Sequence, residues 1–104
     1  MPVIKVRRHS KLGYVVPGCT IAKRGSSVTF VNATSGPVRI QFFNNKLFRR
    51  DGIGLPGPSK GRSLPSLRLA VNSKAPCGLY PYAVFCHAGP QFAVGHSMPI
   101  IIKP

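Results

Sequence analysis

Acidic side chains are almost missing from this sequence. Asp51 stands alone against 15 lysines and arginines, and the net charge is +14. One carboxylate cannot form the pair that general acid and base hydrolysis needs, nor the carboxylate-rich cages that hold magnesium or calcium. Three cysteines are too few for a disulfide framework. One pair and one odd thiol is the natural arithmetic, and an odd thiol invites a metal or redox role. No apolar run is long enough to span a membrane. The opening residues Met1-Pro2-Val3-Ile4-Lys5-Val6-Arg7-Arg8 do not read as a secretory signal, because no long apolar stretch follows the basic residues. Long segments of helical periodicity are also lacking. No Gly-x-Ser-x-Gly elbow is present. Cys86 and His87 are neighbours whose side chains leave opposite faces of a strand, so they do not make a nucleophile and base. The chain reads as something other than an enzyme.

What is present is a well-patterned apolar content of 43%, enough for a core in one domain spanning 1–104 and too much for disorder. Eleven glycines and eleven prolines are spread along the chain without a repeat, as punctuation between short strands. Ile4 and Val6 open a first strand. Short extended pieces at 14–16 and 20–22 are split by Pro17-Gly18, and 23–26 is a turn. Ser27-Val28-Thr29-Phe30-Val31-Asn32 is a strand with Val28 and Phe30 on one face. After a turn at 33–37, Val38, Ile40 and Phe42 alternate with polar residues and face inward. Residues 43–63 read as a long basic loop, with room for one short helical turn. Leu67, Leu69 and Val71 then alternate along a strand, 79–86 is a long strand, and 99–102 closes the chain. Seven or eight short strands joined by turns are the pattern of an antiparallel sandwich or barrel.

The C-terminal part carries the chemistry. Tyr82, Val84 and Cys86 share a strand face, and Cys86 ends that strand. A loop with His87, His96 and Met98 follows. Thiolate, imidazole and thioether are soft ligands suited to copper. The competing reading makes Cys86 an inert buried cysteine, His96 a loop histidine and Met98 a core methionine.

At this point the chain resembles the cupredoxin family, the plastocyanin- and azurin-like copper proteins, over roughly residues 20–104. Ser27-Val28-Thr29-Phe30-Val31-Asn32 and Pro37-Val38-Arg39-Ile40-Gln41-Phe42 resemble the family's V-T-F-x-N strand and the P-H-x-V-x-F strand after it. Gly78 to Met98 resembles its G-x-Y-x-[FV]-x-C strand and ligand loop. The resemblance implies an antiparallel Greek-key β-sandwich, a copper cofactor, one-electron transfer and a periplasmic or extracellular setting. It carries Cys86, His96 and Met98 over as metal ligands. Val38 stands where the family has its first histidine, and His96 and Met98 are more closely spaced than the family's loop ligands. The site is therefore expected to be altered or incomplete, with a metal-free binding or structural module as the alternative.

The charge points to anionic partners: an acidic redox protein, a nucleic acid or an anionic membrane surface. The basic stretch Phe42-Phe43-Asn44-Asn45-Lys46-Leu47-Phe48-Arg49-Arg50 mixes cations with aromatics, as single-stranded nucleic acid binding requires. Core phenylalanines beside solvated charges are the favoured reading, because no RNA-binding strand signature or helix-turn-helix accompanies them. Cys77 and Cys86 are too far apart to bond: nine strand residues separate them by about 30 Å. Cys19 with Cys77 stays open.

Overall fold

The computed structural model describes residues 2–9, 12–16, 19–86, 91–92 and 99–104, with strand placement alone for 8–9, 12–16, 86 and 91–92. Among them no helix is long and apolar enough to cross a membrane. The strands are β1 (Val3–His9), β2 (Leu12–Val16), β3 (Cys19–Ile21), β4 (Ser27–Ala33), β5 (Val38–Phe42), β6 (Gly52–Leu55), β7 (Ser66–Ala70), β8 (Gly78–Cys86), β9 (Gln91–Phe92) and β10 (Ile100–Lys103). They form two facing sheets. One is ordered β2-β1-β4-β7; the other is ordered β3-β10-β8-β5-β6, with β9 added beside β8.

Alternation builds the sandwich. In β4, Val28, Phe30 and Asn32 are buried while their neighbours are half-buried. In β5, Val38, Ile40 and Phe42 are buried while Arg39 and Gln41 are exposed. A period of two places every second side chain on one face. The two inner faces meet over Ile4, Val6, Phe30, Ile40, Tyr82, Val84 and Ile101, all nearly without solvent contact. The ring of Phe30 lies 5.8–6.0 Å from those of Phe42, Phe48 and Tyr82, in tilted or edge-on contact, the geometry that aromatic quadrupoles favour.

Two expectations are revised. The sheets are mixed rather than purely antiparallel: β1 runs parallel to β4, and β10 parallel to β3. The chain alternates between the two sheets at β2–β3, β3–β4 and β4–β5, so strands distant in sequence become neighbours with their directions already fixed. Residues 43–63 are also not one irregular loop, since β6 pairs antiparallel with β5 inside them. Its inward residues Ile53 and Leu55 are buried. Gly52, before them, allows a close approach: a Cβ would stand 2.7 Å from the Ile40 carbonyl oxygen. Residues 45–48 turn without forming a helix.

Candidate metal centre

The candidate site lies where β8 ends. Cys86 is the last residue of that strand, and its backbone is paired on both sides. Val38 of β5 stands opposite it on one side and Gln91 of β9 on the other. The backbone of Cys86 is thus held in the sheet interior and not on a free edge, which fixes its position. Val38 is 2% exposed, a buried aliphatic side chain at the strand position opposite Cys86.

Residues upstream hold Val38 in place. Asn32, at 0% exposure, uses every hydrogen-bonding position of its amide. Its Nδ2 donates to the carbonyls of Gly36 and Pro56, each at 2.8 Å. Its Oδ1 accepts from the Thr34 amide at 3.0 Å and the Thr34 hydroxyl at 2.6 Å. Thr34 Oγ1 also lies 2.8 Å from the Gly36 carbonyl, an alternative acceptor for its single hydroxyl hydrogen. One side chain therefore fastens the turn before β5 to the segment after β6. The sequence marked Asn32 only as the end of a strand; its cross-link spans 24 residues to Pro56, which no local signal encodes.

The far end of β8 returns to the site through β10. Ile100 pairs with Pro81, and the Tyr82 amide donates to the Pro99 carbonyl at 3.1 Å. After Cys86, the next described strands, β9 and β10, both pair with β8. His87, His96 and Met98 lie outside the described residues. His9 lies in β1, paired in register with Leu12. Among the described residues no group of three or more His, Cys, Asp or Glu could hold a metal ion.

The strand position opposite Cys86 is Val38, which cannot ligate a metal, so that position supplies no imidazole. The sequence-expected ligands Cys86, His96 and Met98 are soft or borderline by chemistry, and the side chains of all three lie outside the described ones.

The two other cysteines are free and exposed. Cys19 pairs with Ile100 at the start of β10, whereas Cys77 Sγ donates to the carbonyl of Pro104 just past its end, at 3.3 Å. Four strand residues, about 13 Å, separate those positions along β10, so a bond between them is outside the reach of a disulfide.

Tyr82 adds a buried hydroxyl. The side chain is 0% exposed, and its hydroxyl has no hydrogen-bond partner among the described residues. Burial, and to a lesser degree the nearby Cys19, pushes its pKa far above the usual phenol value. It stays neutral, since nothing around it would stabilise a phenolate.

Two comparisons with known proteins find no match: no family model, and no curated relative. Solved structures do match. A purple cupredoxin from Nitrosopumilus maritimus superposes with a TM-score of 0.57 at 17% identity, covering 100% of both chains. A methionine-to-alanine variant of amicyanin in the Cu(I) state also superposes with a TM-score of 0.57 at 17% identity, covering 99% of this chain and 81% of that one. The fold is a cupredoxin-like β-sandwich.

Proposed function

We propose that this protein binds copper at an altered cupredoxin-type site made by Cys86, His96 and Met98, and works as a small electron carrier. The observation that carries this reading is the placement of Cys86, a strand-end cysteine whose backbone is paired on both sides, in a fold that a purple cupredoxin and a Cu(I) amicyanin share. Copper, when bound, would supply one-electron chemistry. The chain's own residues supply the rest. Cys86 offers the thiolate, Val38 keeps the β5 side apolar and without a ligand, and Asn32 fixes where β5 begins. A donor set with one imidazole instead of two, beside an apolar wall, favours Cu(I) over Cu(II). The cationic surface suits an acidic protein as redox partner, met through electrostatic steering.

The test is a titration of the reduced protein with Cu(I) against a coloured chelator, followed by Cu(II) with visible absorption. One Cu(I) per chain, lost in Cys86→Ala, is expected. In Val38→His, which places an imidazole opposite Cys86, Cu(II) should bind with an intense thiolate-to-copper band. Copper retention unchanged by Cys86→Ala, or none at all, would sink the reading. Val38 also favours a second reading, a cupredoxin-like fold that serves without metal as a binding or structural module. Absence of copper from both the wild type and Val38→His would select it.

A further inference from the structure

The outward face of the second sheet is apolar where β3, β10 and β8 lie side by side. Ile102 stands opposite Ile21 on one side and Leu79 on the other. One step along β10, Ile100 stands opposite Cys19 and Pro81. The residues between them, Thr20, Ile101 and Tyr80, are buried in the core, so alternation turns these six outward. The next strand extends the face: Phe43, just past β5, donates its amide to the Pro81 carbonyl at 3.4 Å and is itself exposed. We propose that this face rests on an anionic lipid surface, with its apolar side chains in the boundary between headgroups and acyl chains.

Concentration is the first argument. Five large hydrophobic side chains are exposed among the described residues. Three of them share this face: Ile21 at 58%, Phe43 at 57% and Leu79 at 63%. The first sheet does not repeat the pattern. There Lys5 and Arg7 take the outward positions of β1, on either side of the buried Val6. A contiguous exposed apolar patch marks a surface that meets a protein or a membrane.

Charge narrows the occupant. Exposed cations lie next to these strands: Lys23 and Arg24 in the turn after β3, Arg39 on β5 and Lys74 in the connection before β8. No described outward position of β3, β10 or β8 is charged, since Lys103, at the end of β10, turns inward and is buried. A second copy on this face would set the bordering cations against their own kind, which opposes association. Anionic headgroups attract them within a Debye length.

The shortage of directional groups separates lipid from protein. A protein interface of ordinary size carries about ten hydrogen bonds. The six outward side chains of β3, β10 and β8 offer only the Cys19 thiol, a weak donor. The backbone adds little, because β10 is paired with β3 and β8, and β8 with β10 and β5. A paired backbone approaches a low-dielectric boundary without stranding polar groups, and apolar side chains need no partner geometry there.

Vesicles of equal parts phosphatidylglycerol and phosphatidylcholine are the probe, at an ionic strength of about 0.15 M. The wild-type chain should sediment with them. Ile21→Gln and Leu79→Gln should each weaken binding about tenfold; both positions are exposed, so the fold is kept. Leu64→Gln changes an exposed leucine in the loop before β7, on the other sheet, and should leave binding unchanged. The sequence has no tryptophan, so Phe43→Trp supplies a single reporter. Its emission should move to shorter wavelength on adding vesicles, and that of Leu64→Trp should not. No sedimentation, or equal sedimentation of all variants with unshifted Phe43→Trp emission, would overturn the proposal, the second result meaning diffuse charge attraction. Self-association without vesicles, abolished by Leu79→Gln, would overturn it in favour of a second copy. A peptide of alternating glutamate and leucine that binds more tightly than the vesicles, and loses affinity in Leu79→Gln, would overturn it in favour of an acidic protein. None of these readings needs copper, so they stand apart from the outcome of the metal titration.

Discussion

Tyr82 shows how one buried atom shapes the response to pH. Its hydroxyl gives up water and finds no partner, so the group is held neutral with a raised pKa. Below pH 10 the phenol keeps its proton in both the folded and the unfolded chain, and stability is unaffected. Above pH 10 the unfolded chain ionises while the folded one does not. Stability then falls by about 1.4 kcal/mol per pH unit until the folded pKa is reached. Tyr82→Phe removes the unpartnered hydroxyl and keeps the ring that touches Phe30 and Phe42. Urea unfolding at pH 7 should show no loss for this variant, and a gain of up to about 1 kcal/mol. Between pH 10 and 11.5 its stability should decline less steeply than that of the wild type; identical alkaline limbs would contradict the burial of this hydroxyl. Val38 belongs to the same scale. One aliphatic side chain, where the resemblance places an imidazole, sets the expectation for Val38→His in the copper titration.

Between the elements, the cross-links are polar and few. Asn32 joins the turn before β5 to the segment after β6, and Asn72 joins the turn after β5 to the end of β7. Lys103, buried at 5% exposure at the end of β10, donates from Nζ to the carbonyls of Ala75 and Ser73. Its cation is therefore used to tie the β7–β8 connection to the last strand. Truncation of Asn32 to alanine strands two carbonyls and the Thr34 groups in a dry interior. A loss of about 2–4 kcal/mol is expected from denaturant unfolding. A change under 1 kcal/mol would mean that water replaces the amide. Most strands could be read from alternation, as in Val28/Phe30 and Val38/Ile40/Phe42. The strand β6 could not, because its signal is two apolar residues set between glycines. Its existence depends on the Ile40 carbonyl standing close to Gly52, a contact made only when the sheet assembles.

For the whole molecule the dominant quantity is charge. At +14 with one acid, the folded protein repels itself more than the expanded chain does. The Debye length falls from about 30 Å at 0.01 M salt to about 8 Å at 0.15 M. The thermal midpoint should therefore rise with sodium chloride over that range, by roughly 5 °C or more, which calorimetry would measure. A flat midpoint would show that the cations are spaced widely enough for their repulsion to be negligible.

By itself the sequence determined the all-β class, most strand positions, the identity of the inward residues and the scarcity of carboxylate chemistry. These follow from local alternation, turn residues and composition, which need no distant partner. It also singled out Cys86 and the valine that stands where the resemblance places a histidine. Only the tertiary structure decided that Val38 and Cys86 are register partners, that Cys19 and Cys77 sit at opposite ends of β10, and that two strand pairs run parallel. Each of these joins residues far apart in the chain, and such pairings are set by which sheet faces bury together.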